Sequence, residues 1–227
     1  GSYLAARTNS PLAKVILSLA GAASAIAAEI RMPATALDAV AGAVNADGDT
    51  QKKLDVIADE IVLDALRGTG AAAYLSEERE EAIPLDPDGG LIIACDPLDG
   101  SSNIGVNVSV GTIFSVLPAD GGDLQPGHAQ LAAGFFVYGP QTTLLLTTGS
   151  GTASFRMDDE GRFVMISENV RIPLEASEFA INVSNRRHWP APITRYVEGC
   201  LAGTDGPRGH DYNMRWVASL VAETWRI

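Results

Sequence analysis

Apolar residues near the amino end of the chain recur with the spacing of buried helix faces. From Leu12 to Ile30 they return every three or four positions, directly after Ser10-Pro11, a pair typical of a helix start. A second apolar stripe runs from Leu54 to Leu66 and is followed by Gly68. The pattern therefore predicts two amphipathic helices in the first part of the chain.

Beyond the second helix the apolar pattern changes to that of β-strands. The continuous apolar run Leu91 to Cys95 is typical of a strand that is buried on both faces. Turn residues separate further apolar segments, which favours antiparallel neighbours over residues 106–117, 134–138, 142–148, 152–157 and 162–167. After Pro173 the pattern predicts one strand over 179–183 and two helices over 192–201 and 213–227.

The order of these elements indicates the fold class. Helices come first, then a series of strands, then a mixture, which favours an α+β or layered α/β fold. We expect a layered helix–sheet sandwich with one domain over residues 1–170 and a second, incomplete domain over residues 171–227. The chain begins with Gly-Ser and ends at Ile227, so we also expect it to be part of a longer protein.

The composition and net charge of the chain argue against some classes of binding partner. The 227 residues are 46% hydrophobic, which is enough for a sizeable core. The net charge of -12 argues against nucleic acid or an anionic membrane as the main partner, since both need a cationic surface. The chain contains no unbroken run of about 18 apolar residues, so we predict no membrane-spanning helix. The two cysteines, Cys95 and Cys200, are too few for a disulfide scaffold and favour a reducing, cytoplasmic compartment.

Acidic and small residues follow the predicted buried strand in the stretch Asp96-Pro97-Leu98-Asp99-Gly100-Ser101-Ser102-Asn103. The bend that Pro and Gly impose can bring Asp96, Asp99 and the carbonyl of Leu98 to one side. These are the hard oxygen donors that Mg²⁺ or Mn²⁺ prefers. The segment 100–102 adds backbone N–H groups and hydroxyls that can hold a phosphate. The stretch therefore predicts a site for divalent cations and a phosphate ester.

Each of these motifs has a simpler interpretation. The Asp-Pro-Leu-Asp-Gly stretch could be an ordinary turn, although a turn requires neither the Ser-Ser-Asn that follows nor a buried strand before it. Ser76-Glu77-Glu78 alone favours a capping box or a solvated face. It gains significance only as a partner of the acidic stretch.

Taken together, the motifs resemble the class I fructose-1,6-bisphosphatase family. The resemblance rests on Ser76-Glu77-Glu78, on the segments 96–104 and 108–114, and on the segments 48–56 and 215–223, which occur in the family's order over nearly the whole chain. The wider superfamily, which includes inositol monophosphatases, normally has Thr after the Gly of the acidic motif. Ser101-Ser102-Asn103 therefore favours the sugar bisphosphatase branch.

The resemblance implies an activity and a set of roles. The activity is Mg²⁺-dependent (or Mn²⁺-dependent) hydrolysis of the 1-phosphate of fructose 1,6-bisphosphate, in gluconeogenesis or the Calvin cycle, by a cytoplasmic homotetramer. Alternatives are sedoheptulose bisphosphate or inositol phosphates as substrate, or an inactive remnant. The implied metal ligands are Glu77, Asp96, Asp99 and the carbonyl of Leu98. Glu78, assisted by Asp55, would activate water, and Asp49 lies in a loop that closes over the site. The implied phosphate contacts are Asp99, Gly100, Ser101 and Ser102 at one phosphate, with Asn182 and a neighbouring subunit's Arg215 at the other.

Three of these roles have alternatives. Asp55 precedes Asp59 by one helical turn, so both could belong to a solvated helix face. Asn182 could serve a turn, with Asn185 as the competing phosphate contact, and Arg215 could be a surface residue.

The sequence also departs from the family pattern. The family's substrate Lys and a further metal-binding Glu follow the position of Ile227, so we expect the sugar and second-metal sites of this chain to be incomplete. Gly90, Leu91 and Pro118 stand where animal members bind AMP through basic or phenolic side chains. We therefore expect no inhibition of that kind by AMP.

Overall fold

The computed structural model of the chain describes residues 2–32, 40–44 and 50–227. Its helices are α1 Ser2–Ala5, α2 Ser10–Ile30, α3 Lys53–Leu66, α4 Ala191–Leu201 and α5 Leu220–Arg226. The start of α2 follows from its sequence, because Pro11 lies in the first turn, where an amide N–H would have no helical partner. The capping residue is Asn9 rather than the predicted Ser10, and its side chain accepts a hydrogen bond from the Leu12 N–H at 3.0 Å.

Helix α2 is long and apolar enough to cross a membrane by length and composition, with a mean hydropathy of 1.6. The expectation concerned an unbroken apolar run, which Lys14, Ser18 and Ser24 interrupt; the helix passes only because its Ala, Val, Leu and Ile residues keep the mean hydropathy high. Its buried stripe, from Leu12 to Ala27, belongs to the hydrophobic core, while Leu17 on the other side is 51% exposed. This is the packing of an amphipathic core helix.

An eight-stranded sheet forms the centre of the fold. Its strands in spatial order are β10 Phe163–Ser167, β9 Thr152–Met157, β8 Thr142–Thr147, β7 Ala132–Tyr138, β6 Val110–Pro118, β5 Leu91–Asp99, β3 Ala71–Ser76 and β4 Ile83–Pro84. Strands β6 to β10 are antiparallel neighbours, as predicted. Strand β5 also pairs antiparallel with β6, whereas β3 and β5 are parallel. Two small sheets pair β1 Val40–Val44 with β2 Thr50–Lys52, and β11 Glu178–Phe179 with β12 Asn213–Met214.

Three predicted elements differ from the structure. Strand β6 begins at Val110 rather than at position 106, because residues 101–106 form a 3-10 turn. The predicted strand 179–183 is reduced to Glu178–Phe179, and a 3-10 turn follows it over 183–188. The predicted helix from position 213 begins only at Leu220, where Ser219 caps it by accepting the Ala222 N–H. In each case a tertiary or capping contact overrides the local apolar pattern.

The main core lies between one face of the sheet and helices α2 and α3, and includes Tyr74, Phe114 and Phe136. A second, smaller cluster is formed by Phe179, Val197 and Cys200. Alternating side chains of a strand point to opposite faces, so neighbours of the core residues form the other face of the sheet. That face carries a groove of about 820 Å³ that includes Ile113, Ser115, Phe135, Leu145, Trp225 and, at its acidic end, Glu77 and Asp96.

Candidate functional site

Two carboxylates meet at the ends of the parallel strands β3 and β5. Ser76 pairs with Cys95 in the register of these strands, so the residues that follow, Glu77 and Asp96, are neighbours at the same edge. The Glu77 N–H donates to the Cys95 carbonyl at 3.1 Å and holds the chain there. The expected approach of Glu77 to Asp96 is therefore present in the structure.

The electrostatics of Asp96 reflect this approach. The pKa of Asp96 is raised to about 8, first by burial and then by the charge of Glu77, a hydrogen bond shared with Glu77 and the charge of Asp99. The Leu98 N–H donates to Asp96 at 3.0 Å and partly offsets these effects. A carboxylate pair that competes for one proton is also suited to share a divalent cation, because the positive charge removes the repulsion that the proton otherwise relieves.

Asp99 is bonded to helix α5. Its Oδ2 accepts hydrogen bonds from the Ser219 hydroxyl at 3.2 Å and from the Val221 N–H at 3.0 Å, which are donors at the start of α5. Of the bend predicted at Pro97 and Gly100, the first part is an irregularity in the register of β5 and β6 between Asp96 and Asp99, and the second is a turn at Gly100. In the described part of the chain no three His, Cys, Asp or Glu side chains are grouped to hold a metal ion, so the carboxylate pair is the element that fits one.

The segment after β5 is closely connected to α5. Gly100 has φ +75°, and a Cβ there would lie 3.2 Å from the Cβ of Ser219, so both its conformation and its surroundings favour glycine. Ser101 and Ser102 begin the 3-10 turn, and the Asn103 amide donates to the Ala218 carbonyl at 2.7 Å. The proposed phosphate loop and the start of α5 therefore form one unit.

Helix α3 places two acidic residues under the site. Asp55 and Asp59 are each 3% exposed, so the alternative interpretation of a solvated helix face is wrong. Asp59 accepts a hydrogen bond from the Tyr74 hydroxyl at 2.9 Å and one from the Arg79 guanidinium at 2.6 Å. Glu78 lies in the turn between Glu77 and Arg79, and its N–H donates to the Ser76 hydroxyl at 3.2 Å. Asp49 lies outside the described residues.

The residues implied at the second phosphate have local partners. Asn182 accepts the Ser184 N–H at 3.0 Å at the start of the 3-10 turn, and the exposed Asn185 lies within this turn. Arg215 donates to Glu178, and the other oxygen of Glu178 accepts from Arg226 at 2.5 Å. These arginines hold the pKa of Glu178 below its usual range. The carboxylate pair and the second-phosphate candidates are therefore built by different parts of the chain.

Sequence reasoning gave no role to several residues that build the site. Asn103 is part of the acidic motif, and its amide, a hydrogen-bond donor, could have indicated a contact that anchors the loop. Ser219 before the apolar residues of α5 is a typical capping residue, which could have located the true start of that helix. Tyr74, Asp59 and Arg79 carry no local signal, because their contacts join a helix, a strand and a turn.

Comparison with known proteins identifies the class of protein to which this fold belongs, that of the fructose-1,6-bisphosphatases. The sequence profile of the fructose-1-6-bisphosphatase N-terminal domain matches residues 2–168, and that of the C-terminal domain matches residues 172–227. The class 1 fructose-1,6-bisphosphatase of Rhizobium meliloti (strain 1021) is 52% identical over 227 residues, which cover 95% of this chain and 65% of that protein. That of Paracoccus denitrificans (strain Pd 1222) is 49% identical over 215 residues, covering 92% and 64%.

A solved structure agrees with these sequence matches. The holo form of Leishmania major fructose-1,6-bisphosphatase superimposes with a TM-score of 0.89 at 29% identity, covering 99% of this chain and 73% of that chain. The chain belongs to the fructose-1,6-bisphosphatase family. The chain spans less than two thirds of the length of these relatives, namely 65% of the Rhizobium meliloti protein and 64% of the Paracoccus denitrificans protein.

Proposed function

We propose that the chain carries the acidic site of a Mg²⁺-dependent phosphatase that hydrolyses the 1-phosphate ester of fructose 1,6-bisphosphate. The observation that supports this most strongly is the pairing of Glu77 with Asp96 at the ends of two parallel strands. These two residues belong to two of the five segments on which the family resemblance rests. The relatives named above are class 1 fructose-1,6-bisphosphatases.

The cation would be held by Glu77 and Asp96. Asp99 and the Leu98 carbonyl are the other proposed ligands, and Asp99 would have to turn from its donors Ser219 and Val221 to join the pair, since the described residues group no three such side chains. When bound, it supplies the positive charge against which a phosphoryl group can be attacked. Mg²⁺ is the first choice and Mn²⁺ the second, since carboxylate and carbonyl oxygens suit both ions.

The chain itself would orient the reactants and accept the proton. The carboxylate of Glu78 would accept a proton from the attacking water, with the buried Asp55 assisting from α3. The N–H groups and hydroxyls of residues 100–102 would hold the ester phosphate, in a loop that Asn103 fixes to α5. A closing loop that contains Asp49 would exclude water.

The second phosphate requires a rearrangement. Asn182 and Arg215 are the proposed contacts, and Arg215 is ion-paired with Glu178 in the structure. A phosphate would therefore have to replace Glu178 as the partner of Arg215. Contribution of Arg215 from a neighbouring subunit would make a homo-oligomer, proposed as a tetramer, the active form.

The test is phosphate release from fructose 1,6-bisphosphate by the 227-residue chain, with Mg²⁺ and with a chelator. We expect release that depends on Mg²⁺ and falls at least about 100-fold in Asp96→Asn, because the cation pair loses one charge. Asp123→Asn makes the same chemical change at an exposed loop position and should leave the rate unchanged. Release without Mg²⁺, or a full rate in Asp96→Asn, would contradict the proposal. A folded chain that releases no phosphate would instead support the inactive remnant.

A further inference from the structure

A buried acidic residue lies beneath the turn that carries the two glutamates. Asp59 of α3 is 3% exposed, and both its oxygens are hydrogen-bonded. The hydroxyl of the fully buried Tyr74 donates to Oδ1 at 2.9 Å, and the Nε of Arg79 donates to Oδ2 at 2.6 Å. A terminal nitrogen of Arg79 also contacts Glu60 at 2.5 Å. A carboxylate buried to this extent requires a cation, and Arg79 is the cation that the turn supplies.

The same arginine closes the turn after β3. Its backbone N–H donates to the Ser76 carbonyl at 3.2 Å, while its guanidinium is fixed to α3 through Asp59. At the other end of the turn, the Glu77 N–H donates to the Cys95 carbonyl of β5 at 3.1 Å. Glu77 and Glu78 therefore lie between two anchors, one on the neighbouring strand and one on the helix beneath.

We infer that Arg79 is a positioning residue, whose ion pair with Asp59 holds the 76–79 turn so that Glu77 remains beside Asp96 and the pair can bind a divalent cation. Arg79 contacts neither carboxylate of the pair in any bond described above, so it acts through the turn. The part of the inference that concerns the cation depends on the proposed function. The part that concerns the turn depends only on the hydrogen bonds and ion pairs of the structure.

The first test measures the turn without any cation. Hydrogen exchange at the Glu77 and Glu78 amides is compared between the chelator-treated wild-type chain, Arg79→Gln and the control Arg67→Gln. Arg67 is an exposed arginine that pairs only with the exposed Asp64 among the described ion pairs, so its loss removes the same charge without touching the turn. We expect exchange at Glu77 to accelerate at least about tenfold in Arg79→Gln and to stay unchanged in Arg67→Gln, because only the former frees the turn. Unchanged exchange in Arg79→Gln would overturn the inference.

The second test measures the affinity for Mg²⁺, by calorimetry and by the Mg²⁺ dependence of phosphate release. We expect Arg79→Gln to lower the affinity for Mg²⁺ at least about tenfold. The rate of phosphate release at saturating Mg²⁺ should change less than about threefold, because the ligands themselves are intact. Arg79→Lys, which keeps the charge, should recover part of the affinity.

A double variant separates positioning from general instability. Arg79→Gln with Asp59→Asn removes both partners, so the buried carboxylate is no longer left unpaired and the fold should recover its stability. We expect the Mg²⁺ affinity to stay weak, since the anchor is still missing. Full recovery of Mg²⁺ affinity in this folded double variant would overturn the inference. If the wild-type chain binds Mg²⁺ and releases no phosphate, the proposed function fails while the positioning role stands.

Discussion

Replacement of Asp96 by Asn should stabilise the cation-free protein at high pH. Burial, followed by the charge and the hydrogen bond of Glu77, raises the pKa of Asp96 from its ordinary value of 3.8 to about 8. A carboxyl whose pKa is higher in the folded than in the unfolded state stabilises the fold while it is protonated. That contribution is fully present below about pH 4 and is lost as the pH rises to about 8. Asparagine does not titrate, so the variant does not lose it.

The size of the effect follows from the pKa difference. Each pH unit between the two pKa values changes the free energy of unfolding by at most about 1.4 kcal/mol. Between about pH 6 and pH 8 the upper limit is therefore about 3 kcal/mol. Asp96 is half-buried and shares its proton with Glu77, so solvent screening and coupled titration reduce the expected change to about 1–2 kcal/mol.

Urea unfolding in a chelator at the two pH values measures this difference. We expect the free energy of unfolding of Asp96→Asn, relative to that of the wild-type chain, to rise by about 1–2 kcal/mol from pH 6 to pH 8. That of Asp123→Asn should not change relative to the wild-type chain. Added Mg²⁺ should reverse the order at pH 8, because only the wild-type pair binds it tightly. An equal difference at both pH values, or a variant less stable than wild type in chelator at pH 8, would refute the reasoning.

Two further predictions follow from individual positions. Gly100→Ala should cost about 1–3 kcal/mol in urea unfolding and more than Gly68→Ala, since both glycines have a φ of +70° to +75° but only Gly100 would place a Cβ against Ser219; equal losses would contradict the contact with α5. AMP should leave the phosphate-release rate unchanged, because Leu91 and Pro118, which face each other across β5 and β6, offer a phosphate neither a cation nor a hydroxyl. Inhibition at micromolar AMP would show that this expectation is wrong.

The helices and antiparallel strands could be predicted because the spacing of apolar residues within each segment is enough to indicate the element. Strand β9 Thr152–Met157 has the predicted bounds, and α2 and α4 differ from prediction by one or two residues. The predicted start of α5 was wrong because Ser219 determines it together with Asp99. These two side chains are hydrogen-bonded in space but lie 120 residues apart in the chain. Long-range contacts of this kind leave no trace in a local pattern.

The same distinction applies to the site. The pairing of Glu77 with Asp96 was implied by the family resemblance. The buried strand before Asp96 is visible in the sequence, whereas strand β3 before Glu77 was not predicted. The network of Tyr74, Asp59 and Arg79 could not be predicted, since each residue alone is typical of an ordinary helix, strand or turn. Whether Asn182 and Arg215 reach a phosphate stays a prediction, as does the loop that contains Asp49.

The central claim is that Glu77 and Asp96 share a divalent cation. Crystals of the chain grown with Mn²⁺ and measured at the manganese absorption edge test it most directly. We expect an anomalous peak within about 2.5 Å of carboxylate oxygens of both Glu77 and Asp96. A map with no peak between these two residues, or with Mn²⁺ bound only at sites that touch neither of them, would contradict it.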